Sequence, residues 1–295
     1  MHNYYKVAGH CFYVESEMTV FCEMPENYSP FQIPEADGEL LFSLEITDNL
    51  PDGEMVLFHT DADLEPGMPQ IDIFQQAGGY LIEMRPVAGS NLISRLWTTS
   101  DFRKGLLHSW NSEVLGRFPL DNSCMIMFAM ASAPELTLAM HASVIEHKGK
   151  GYLFLGKSGT GKSTHSRLWL ENIPQCRLLN DDNPVVRFSS QGELTVYGSP
   201  WSGKTPCYMN ASAKVGAFVA LAQYPENRIR RMGVLESMAV FFQSCSGLRQ
   251  IESIADGLDD TVSRILETVP VYHLDCLPDS GAAMLCHETV SSVKS

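Results

Sequence analysis

The sequence is poor in positive charge. Its 21 lysines and arginines are outnumbered by 35 acidic residues, which gives a formal net charge of −14 at pH 7. It also has no run of basic residues that could follow the backbone of DNA or RNA, which is the usual electrostatic signature of nucleic-acid binding. We therefore expect no nucleic-acid partner.

Long apolar runs are lacking as well. The apolar segment at residues 125–131 is far shorter than the roughly 20 residues that a transmembrane helix requires. The first ten residues have neither the basic start nor the apolar stretch of a secretory signal peptide. These absences predict a soluble, cytoplasmic protein with no membrane partner.

Closely spaced cysteines are also missing. The eight cysteines are scattered along the chain, and no two of them have the Cys-x-x-Cys spacing of a zinc site or a redox pair. We interpret them as free thiols, mostly buried, in a reducing compartment.

Residues 1–118 predict a β-rich domain, because short apolar runs alternate there with Gly, Pro and Asp. The predicted strands are residues 40–46, 55–59, 71–75 and 80–84. The last two flank Gly78 and Gly79, which can adopt the positive φ angles of a tight hairpin turn. Nothing in this part has the spacing of a catalytic or metal site, so we assign it to recognition or scaffolding.

Residues 119–295 predict a second domain with alternating strands and helices. A helix capped by Asp121, Asn122 or Ser123 is expected to run towards Pro134. The apolar spacing beyond it predicts strands at residues 141–145, 152–155, 177–180, 215–222 and 269–274, and helices at residues 162–172, 234–245 and 254–267. That order indicates an α/β layer architecture.

A glycine-rich segment between a predicted strand and a predicted helix carries the strongest motif. Residues 156–163 fit the pattern Gly-x-x-x-x-Gly-Lys-Ser of a P-loop, whose backbone N–H groups surround phosphates at a helix N-terminus. Lys162 would reach the β- and γ-phosphates, and the Ser163 hydroxyl would bind Mg²⁺. The predicted nucleotide-binding residues are Gly156, Ser158, Gly159, Thr160, Gly161, Lys162, Ser163 and Thr164. The alternative is a glycine-rich turn that binds nothing.

Two adjacent carboxylates follow the next predicted strand. Asp181 and Asp182 end the strand at residues 177–180, about 20 residues after the P-loop, where a Walker-B acid is expected. One of them can hold Mg²⁺ while the other accepts the proton of an attacking hydroxyl, so the pair favours phosphoryl transfer to an alcohol. The alternative is a solvated acidic turn. We predict Ser163, Asp181 and Asp182 as metal ligands.

His141 is the third candidate for catalysis. If the chain turns around residues 148–150, antiparallel pairing places His141 roughly opposite Lys157, at the mouth of the P-loop. A histidine there could contact the transferred phosphoryl group or tune the carboxylates, although many histidines are simply packed or solvated. His165 is assigned a structural or surface role.

Two further segments have a functional and a structural interpretation. Residues 198–205 form a second Gly/Ser/Lys loop that could close over the phosphates, with Lys204 as a cation and Trp201 as a wall. A basic cluster could bind an acceptor phosphate, or it could be an ordinary solvated face. Its members are Arg228, Arg230 and Arg231.

Taken in order, three motifs resemble the C-terminal catalytic domain of HPr kinase/phosphorylase. They are His141-Ala-Ser-Val, Gly156-x-Ser-Gly-x-Gly-Lys-Ser163 and Leu179-x-Asp-Asp182, and the resemblance spans roughly residues 136–295. It implies a P-loop kinase core of the HPr kinase/phosphoenolpyruvate carboxykinase-like type, preceded here by the β-rich domain. It also implies that His141, Asp181 and Asp182, beside Lys162, are catalytic, and that a serine hydroxyl is phosphorylated.

The chain departs from that family in two places, which indicates a divergent subgroup. The Glu-x-Arg-Gly-x-Gly signature is absent and residues 198–204 occupy its region, while Thr164 stands where HPr kinases usually have Glu. We expect an ATP- and Mg²⁺-dependent kinase acting on a serine-bearing protein, a peptide or free serine, with homo-oligomers as a family expectation. ADP or pyrophosphate as donor stays open. The alternatives are a non-catalytic nucleotide sensor and a phosphoenolpyruvate carboxykinase-like enzyme.

Overall fold

The computed structural model describes residues 2–16, 24–60, 69–109, 117–203 and 205–292. The chain divides into two compact units, Met1–Ala131 and Ser132–Ser295. The boundary expected from the sequence, at residues 118/119, falls near the start of helix α1 (Arg117–Ser132). Most of this helix belongs to the first unit because its buried side chains pack there; the Phe128 ring, for example, lies 5.9 Å from that of His10.

The described residues of the first unit form a nine-stranded sheet in the order β3-β1-β2-β4-β9-β8-β7-β6-β5. Its pairs are antiparallel except β2–β4 and β4–β9, which are parallel. Buried and more exposed residues alternate along β8 and β9, as expected for strands with one covered face, whereas all residues of β7 except Arg85 are buried. The strands are β1 (His2–Val7), β2 (His10–Ser16), β3 (Gln32–Ile33), β4 (Leu40–Ile46), β5 (Val56–Thr60), β6 (Gln70–Gln76), β7 (Gly79–Arg85), β8 (Ser94–Thr99) and β9 (Lys104–His108).

The predicted hairpin is present as β6–β7, with its turn one residue earlier than expected. Gln76 pairs with Gly79, so Ala77 and Gly78 form the turn, and Gly78 has φ +84°. Gly79 is instead a strand residue. A Cβ on Gly79 would lie 1.8 Å from the Thr98 carbonyl oxygen, so the close approach of β8 requires glycine there.

Helix α1 is already formed at Arg117, so the predicted cap at residues 121–123 is wrong. These polar residues lie inside the helix, where Asp121 and Asn122 have hydrogen-bond partners and the buried Ser123 hydroxyl has none among the described residues. Asp121 accepts from Arg117 Nε at 2.7 Å and from Asn27 Nδ2 at 3.2 Å, and Asn122 donates to the Phe118 carbonyl at 2.7 Å. The helix ends before Pro134, as expected.

The second unit is a mixture of helices and a β-sheet, which confirms the α/β expectation at that coarse level. Its described residues contain nine strands and four α-helices. The strands are β10 (Thr137–Ala139), β11 (Ala142–His147), β12 (Lys150–Leu155), β13 (Cys176–Asp182), β14 (Val185–Phe188), β15 (Leu194–Tyr197), β16 (Ser212–Gln223), β17 (Arg228–Arg231) and β18 (Val271–Cys276). The helices are α2 (Lys162–Asn172), α3 (Val234–Ser244), α4 (Glu252–Thr268) and α5 (Ser280–Ser291).

Strand order in this sheet is β10-β14-β15-β16-β12-β11-β13, with β18 also paired to β16 and β17 to β18. The central pairs β12–β16 and β16–β18 are parallel. A core cluster joins this sheet to α2 and α5, and it includes the fully buried side chains of Trp169, Phe154, Leu274 and Cys286. The core therefore holds α2 and α5 against the sheet.

Candidate functional site

The sheet topology brings three of the predicted site segments to one edge. Strand β11 lies between β12 and β13 and is antiparallel to both, so β12 and β13 run in the same direction. Ala142, the first residue of β11, pairs with Leu155 on one side and with Asp182 on the other. His141, the residues after Leu155 and the Asp pair are therefore neighbours at this edge. Continued by one residue, the β11–β12 register places His141 opposite Gly156, one position before the predicted Lys157.

Residues 156–161, called the glycine loop below, have the conformation that the P-loop pattern requires. Gly156, Gly159 and Gly161 all have positive φ angles, of +149°, +80° and +103°. Helix α2 begins directly after them at Lys162, so unpaired N–H groups of its first turn lie beside the loop. Successive N–H groups at a helix start, with glycines that let the backbone curl, form an anion-binding site.

Lys162 is folded back onto this loop. Its Nζ donates to the carbonyl of Gly156 at 2.8 Å and of Lys157 at 3.4 Å, and the residue is only 8% exposed. Burial lowers the pKa of Lys162, and the charges of Asp182 and Asp181 oppose that shift. The lysine therefore lies within the field of both carboxylates and under the loop that it is predicted to serve.

Asp181 faces the start of α2. The Ser163 hydroxyl donates to Asp181 Oδ1 at 3.1 Å, and Asp181 is nearly buried. A second contact fixes the same helix, because the buried hydroxyls of Ser143 on β11 and Ser166 on α2 lie 2.6 Å apart. One hydroxyl and one carboxylate are the hard oxygen ligands that Mg²⁺ takes together with water and substrate phosphates. In the described part of the chain, no cluster of three or more His, Cys, Asp or Glu side chains offers a metal cage.

Asp182 faces His141 instead. His141 Nε2 lies 3.2 Å from Asp182 Oδ1, and both side chains are partly exposed. Burial lowers the pKa of His141, Asp182 acts to raise it, and Lys162 acts to lower it. The backbone of His141 is anchored from the other side, since its N–H donates to the Ser244 carbonyl at the end of α3 at 2.7 Å. The two adjacent carboxylates thus have different partners.

The backbone of Asp182 is strained, and loop 198–203 packs against it. Asp182 has φ +105°, which non-glycine residues rarely adopt. Gly203 N donates to the Asp181 carbonyl at 2.8 Å, and Ser202 Oγ lies between the carbonyls of Asp181 and Thr205, at 2.9 and 2.5 Å. Gly203 approaches so closely that a Cβ there would lie 2.8 Å from Asp182 Cβ. This loop therefore supports the Asp pair directly.

The sequence predicts that this loop closes over the phosphates, with Trp201 as a wall and Lys204 as a cation. Trp201 is 3% exposed, so its side chain is packed inside the unit and does not stand free as a wall. Lys204 lies outside the described residues. Ser202 and Gly203, which had no role in the sequence interpretation, make the contacts with the Asp pair.

Sequence reasoning also missed Asn180, which ties the loop to β13. Asn180 is fully buried; its Nδ2 donates to Ser199 Oγ at 3.3 Å and to the Trp201 carbonyl at 3.1 Å, while its Oδ1 accepts from Asn183 N at 2.9 Å. The available signal was an amide that follows two leucines in a predicted strand, just before two acids. Buried amides are normally retained where they bond several partners.

The remaining candidates lie outside the cluster of Lys162, Asp181, Asp182 and His141. His165 is buried and accepts from Trp169 Nε1 at 3.1 Å; burial lowers its pKa to about 4, which agrees with a structural role. Two arginines of the basic cluster are engaged by acids on the surface. Arg228 pairs with Glu226 and Arg230 with Glu236.

Comparisons with known proteins place the chain in no family. No family model matches the sequence, and no curated protein matches it either. The resemblance to HPr kinases therefore rests on the three sequence motifs. In the described ranges, no helix is both long and apolar enough to cross a bilayer.

Proposed function

We propose that this protein is an ATP- and Mg²⁺-dependent kinase that transfers a phosphoryl group to a serine-type hydroxyl. We further propose that its second unit is a P-loop kinase core of the HPr kinase/phosphoenolpyruvate carboxykinase-like type. One observation carries both proposals: the glycine loop, Lys162, the two carboxylates and His141 converge at one edge of the sheet. A damaged nucleotide sensor would have no need to keep all of these groups together.

The glycine loop and Lys162 bind the donor in this proposal. Loop N–H groups and the positive end of α2 attract the phosphates, and Lys162 exchanges its bonds to the Gly156 and Lys157 carbonyls for bonds to phosphate oxygens. Because Lys162 is largely buried, its charge acts in a poorly solvated place, where electrostatic interactions are stronger than in water. The loop therefore both holds and neutralises the donor.

Ser163 and Asp181 hold the metal. Their oxygens already lie 3.1 Å apart on the first turn of α2 and the end of β13. Mg²⁺, when bound, neutralises charge on the phosphate oxygens. Ser163 is exposed while Asp181 is buried.

Asp182 is the general base, with His141 beside it. Asp182 makes no contact with Ser163 in the described hydrogen-bond network and lies 3.2 Å from His141, so its carboxylate can accept the proton of an attacking hydroxyl. His141 orients the carboxylate and, when protonated, can stabilise charge on the transferred group. A positioned base of this kind typically contributes roughly 10²–10⁴-fold in rate.

Single substitutions of the two acids test this division of roles. Asp182→Asn should keep nucleotide affinity within about twofold and lower transfer by roughly 10²–10⁴-fold. Asp181→Asn should instead shift the Mg²⁺ dependence to higher concentration, because it removes a ligand. Transfer is measured with labelled ATP and a panel of free serine, HPr and serine-bearing peptides, and binding by calorimetry.

Glu171→Gln is the matched control, since Glu171 is an exposed acid near the end of α2. Full turnover in both Asn variants would reject the base and metal assignments. Nucleotide binding by the wild type without transfer to any acceptor would favour the sensor alternative.

A further inference from the structure

A cavity of about 500 Å³ adjoins the glycine loop on the side of α2 and the strand ends β16 and β18. Gly159, Gly161 and Thr164 line one wall. The opposite wall comes from the segments that follow β16 and β18, which include Tyr224 and Leu277. Its volume falls within the roughly 300–1,000 Å³ of small-molecule sites. The cavity therefore continues directly from the residues that are proposed to hold phosphate.

The residues that line this cavity carry no formal charge, although the Arg228 guanidinium lies 5.8 Å from the centre of the Tyr224 ring. Among the described residues that line it, none is Asp, Glu, Lys or Arg. The one titratable imidazole is that of His165, and burial lowers its pKa to about 4, so it is neutral at physiological pH. A charged ligand group would lose its hydration here without gaining a partner. The cavity suits a flat, uncharged group attached to phosphate.

Two exposed apolar side chains flank the cavity. Tyr224 is 47% exposed and Leu277 is 37% exposed. Their backbones are fixed, because Tyr224 N donates to the Cys276 carbonyl at 3.2 Å and Leu277 N donates to Asn227 Oδ1 at 2.8 Å. Aromatic and aliphatic groups held in place beside an uncharged cavity are suited to stack against a ring.

We propose that this cavity binds the base and ribose of the phosphoryl donor, which makes the donor a nucleotide and not pyrophosphate. The inference rests on the proposed kinase function and deepens it. Tyr224 stacks on the base, and Leu277 covers its edge. The phosphates then lie along the glycine loop. They run from the cavity side, at Gly159 and Gly161, to the Lys162 Nζ, which lies beside the Gly156 and Lys157 carbonyls at the opposite end of the loop.

Tyr224→Ala tests whether the base, in addition to the phosphates, contributes to the affinity for the donor. Loss of one aromatic stack should weaken Mg²⁺–ATP binding by about ten- to a hundred-fold and leave Mg²⁺–pyrophosphate binding within about twofold. Tyr224→Phe should bind ATP like the wild type, because it retains the ring. Leu277→Ser should weaken ATP binding in the same selective way. Met284→Ala on α5 is the matched control, since Met284 is 41% exposed and does not line the cavity.

Calorimetry with ATP, ADP and pyrophosphate, each with Mg²⁺, gives outcomes that tell the two proposals apart. Selective loss of nucleotide affinity in Tyr224→Ala supports the cavity as the base site. Unchanged ATP affinity in that variant, or equal affinity of the wild type for ATP and pyrophosphate, overturns this inference and leaves the kinase proposal standing. Failure of the wild type to bind any of the three ligands overturns both.

Discussion

Gly203→Ala tests whether loop 198–203 sets the position of the Asp182 carboxylate. The added Cβ would lie 2.8 Å from Asp182 Cβ and 3.0 Å from both Cγ and Oδ2. Ordinary contacts between carbon atoms are about 3.5–4.0 Å, so the Asp182 side chain or the loop must move by about 0.7–1.2 Å in total. We expect the side chain to take part of this shift, because Gly203 N is held by the Asp181 carbonyl.

The expected size of the effect follows from that displacement. Misplacing a reacting group by about 1 Å can cost roughly 100-fold in rate, so we expect kcat to fall by about 10- to 100-fold. Nucleotide affinity should stay within about twofold, because the glycine loop is untouched. Inserting a methyl group into a packed site should also cost about 1–3 kcal/mol of unfolding free energy.

Two measurements check this prediction, and one of them does not depend on the proposed activity. Steady-state kinetics give kcat and KM, and NMR titration gives the pKa of His141. Asp182 raises that pKa against the effect of burial, so moving the carboxylate away should lower it further. Asp182→Asn should shift it in the same direction. Gly233→Ala is the control, since a Cβ at Gly233 would meet nothing within 4 Å.

A His141 pKa in Gly203→Ala equal to that of the wild type, together with unchanged kcat, would refute the reasoning. It would mean that the loop yields to the added methyl group while Asp182 stays in place. A fall in stability alone, with both readouts unchanged, would reduce Gly203 to a packing residue.

Two further predictions concern stability. Burial lowers the pKa of His165 to about 4 from 6.5, so the unfolded chain binds more protons between those pH values and stability falls as pH decreases through this window. His165→Gln keeps an acceptor for Trp169. Between pH 7.5 and 5 its free energy of unfolding, measured with urea, should fall by about 2 kcal/mol less than that of the wild type. Equal decreases would contradict this. Ser143→Ala leaves the buried Ser166 hydroxyl without its partner and should cost about 1–3 kcal/mol, whereas the double variant with Ser166→Ala should cost less than the sum of both singles.

The glycine loop and helix α2 could be predicted from the sequence because their determinants are local. Three glycines that need positive φ angles stand between an apolar strand and a helical pattern, and the structure has α2 at the predicted residues 162–172. Strand β16 and helix α4 follow from apolar spacing in the same way, with Leu258, Val262 and Ile265 buried as the spacing indicates. A motif and a local apolar period are both contained in a few consecutive residues, so neither depends on distant contacts.

Helix α3 shows what periodicity leaves open. Leu235 and Phe242 have helical spacing typical of a core face, yet they are 84% and 43% exposed, while Phe241 is fully buried. Spacing tells which side chains share a face but not what covers that face. The return of loop 198–203 to Asp181 was equally hidden, because it depends on contacts about 20 residues apart that involve Ser202, Gly203 and Asn180.

Asp181 and Asp182 have different partners and yet both lie near Lys162, and the backbone strain at Asp182 accounts for this arrangement. Neighbouring side chains in a regular strand point to opposite faces, which would separate the two carboxylates across the sheet. Asp182 instead has φ +105°. Both carboxylates remain close enough to Lys162 to oppose the lowering of the Lys162 pKa by burial. Such a conformation costs about 1–3 kcal/mol and persists only where its surroundings fix it. The contacts of Ser202 and Gly203 with the Asp181 carbonyl hold the backbone next to Asp182. We therefore expect the strained conformation of Asp182 to depend on loop 198–203.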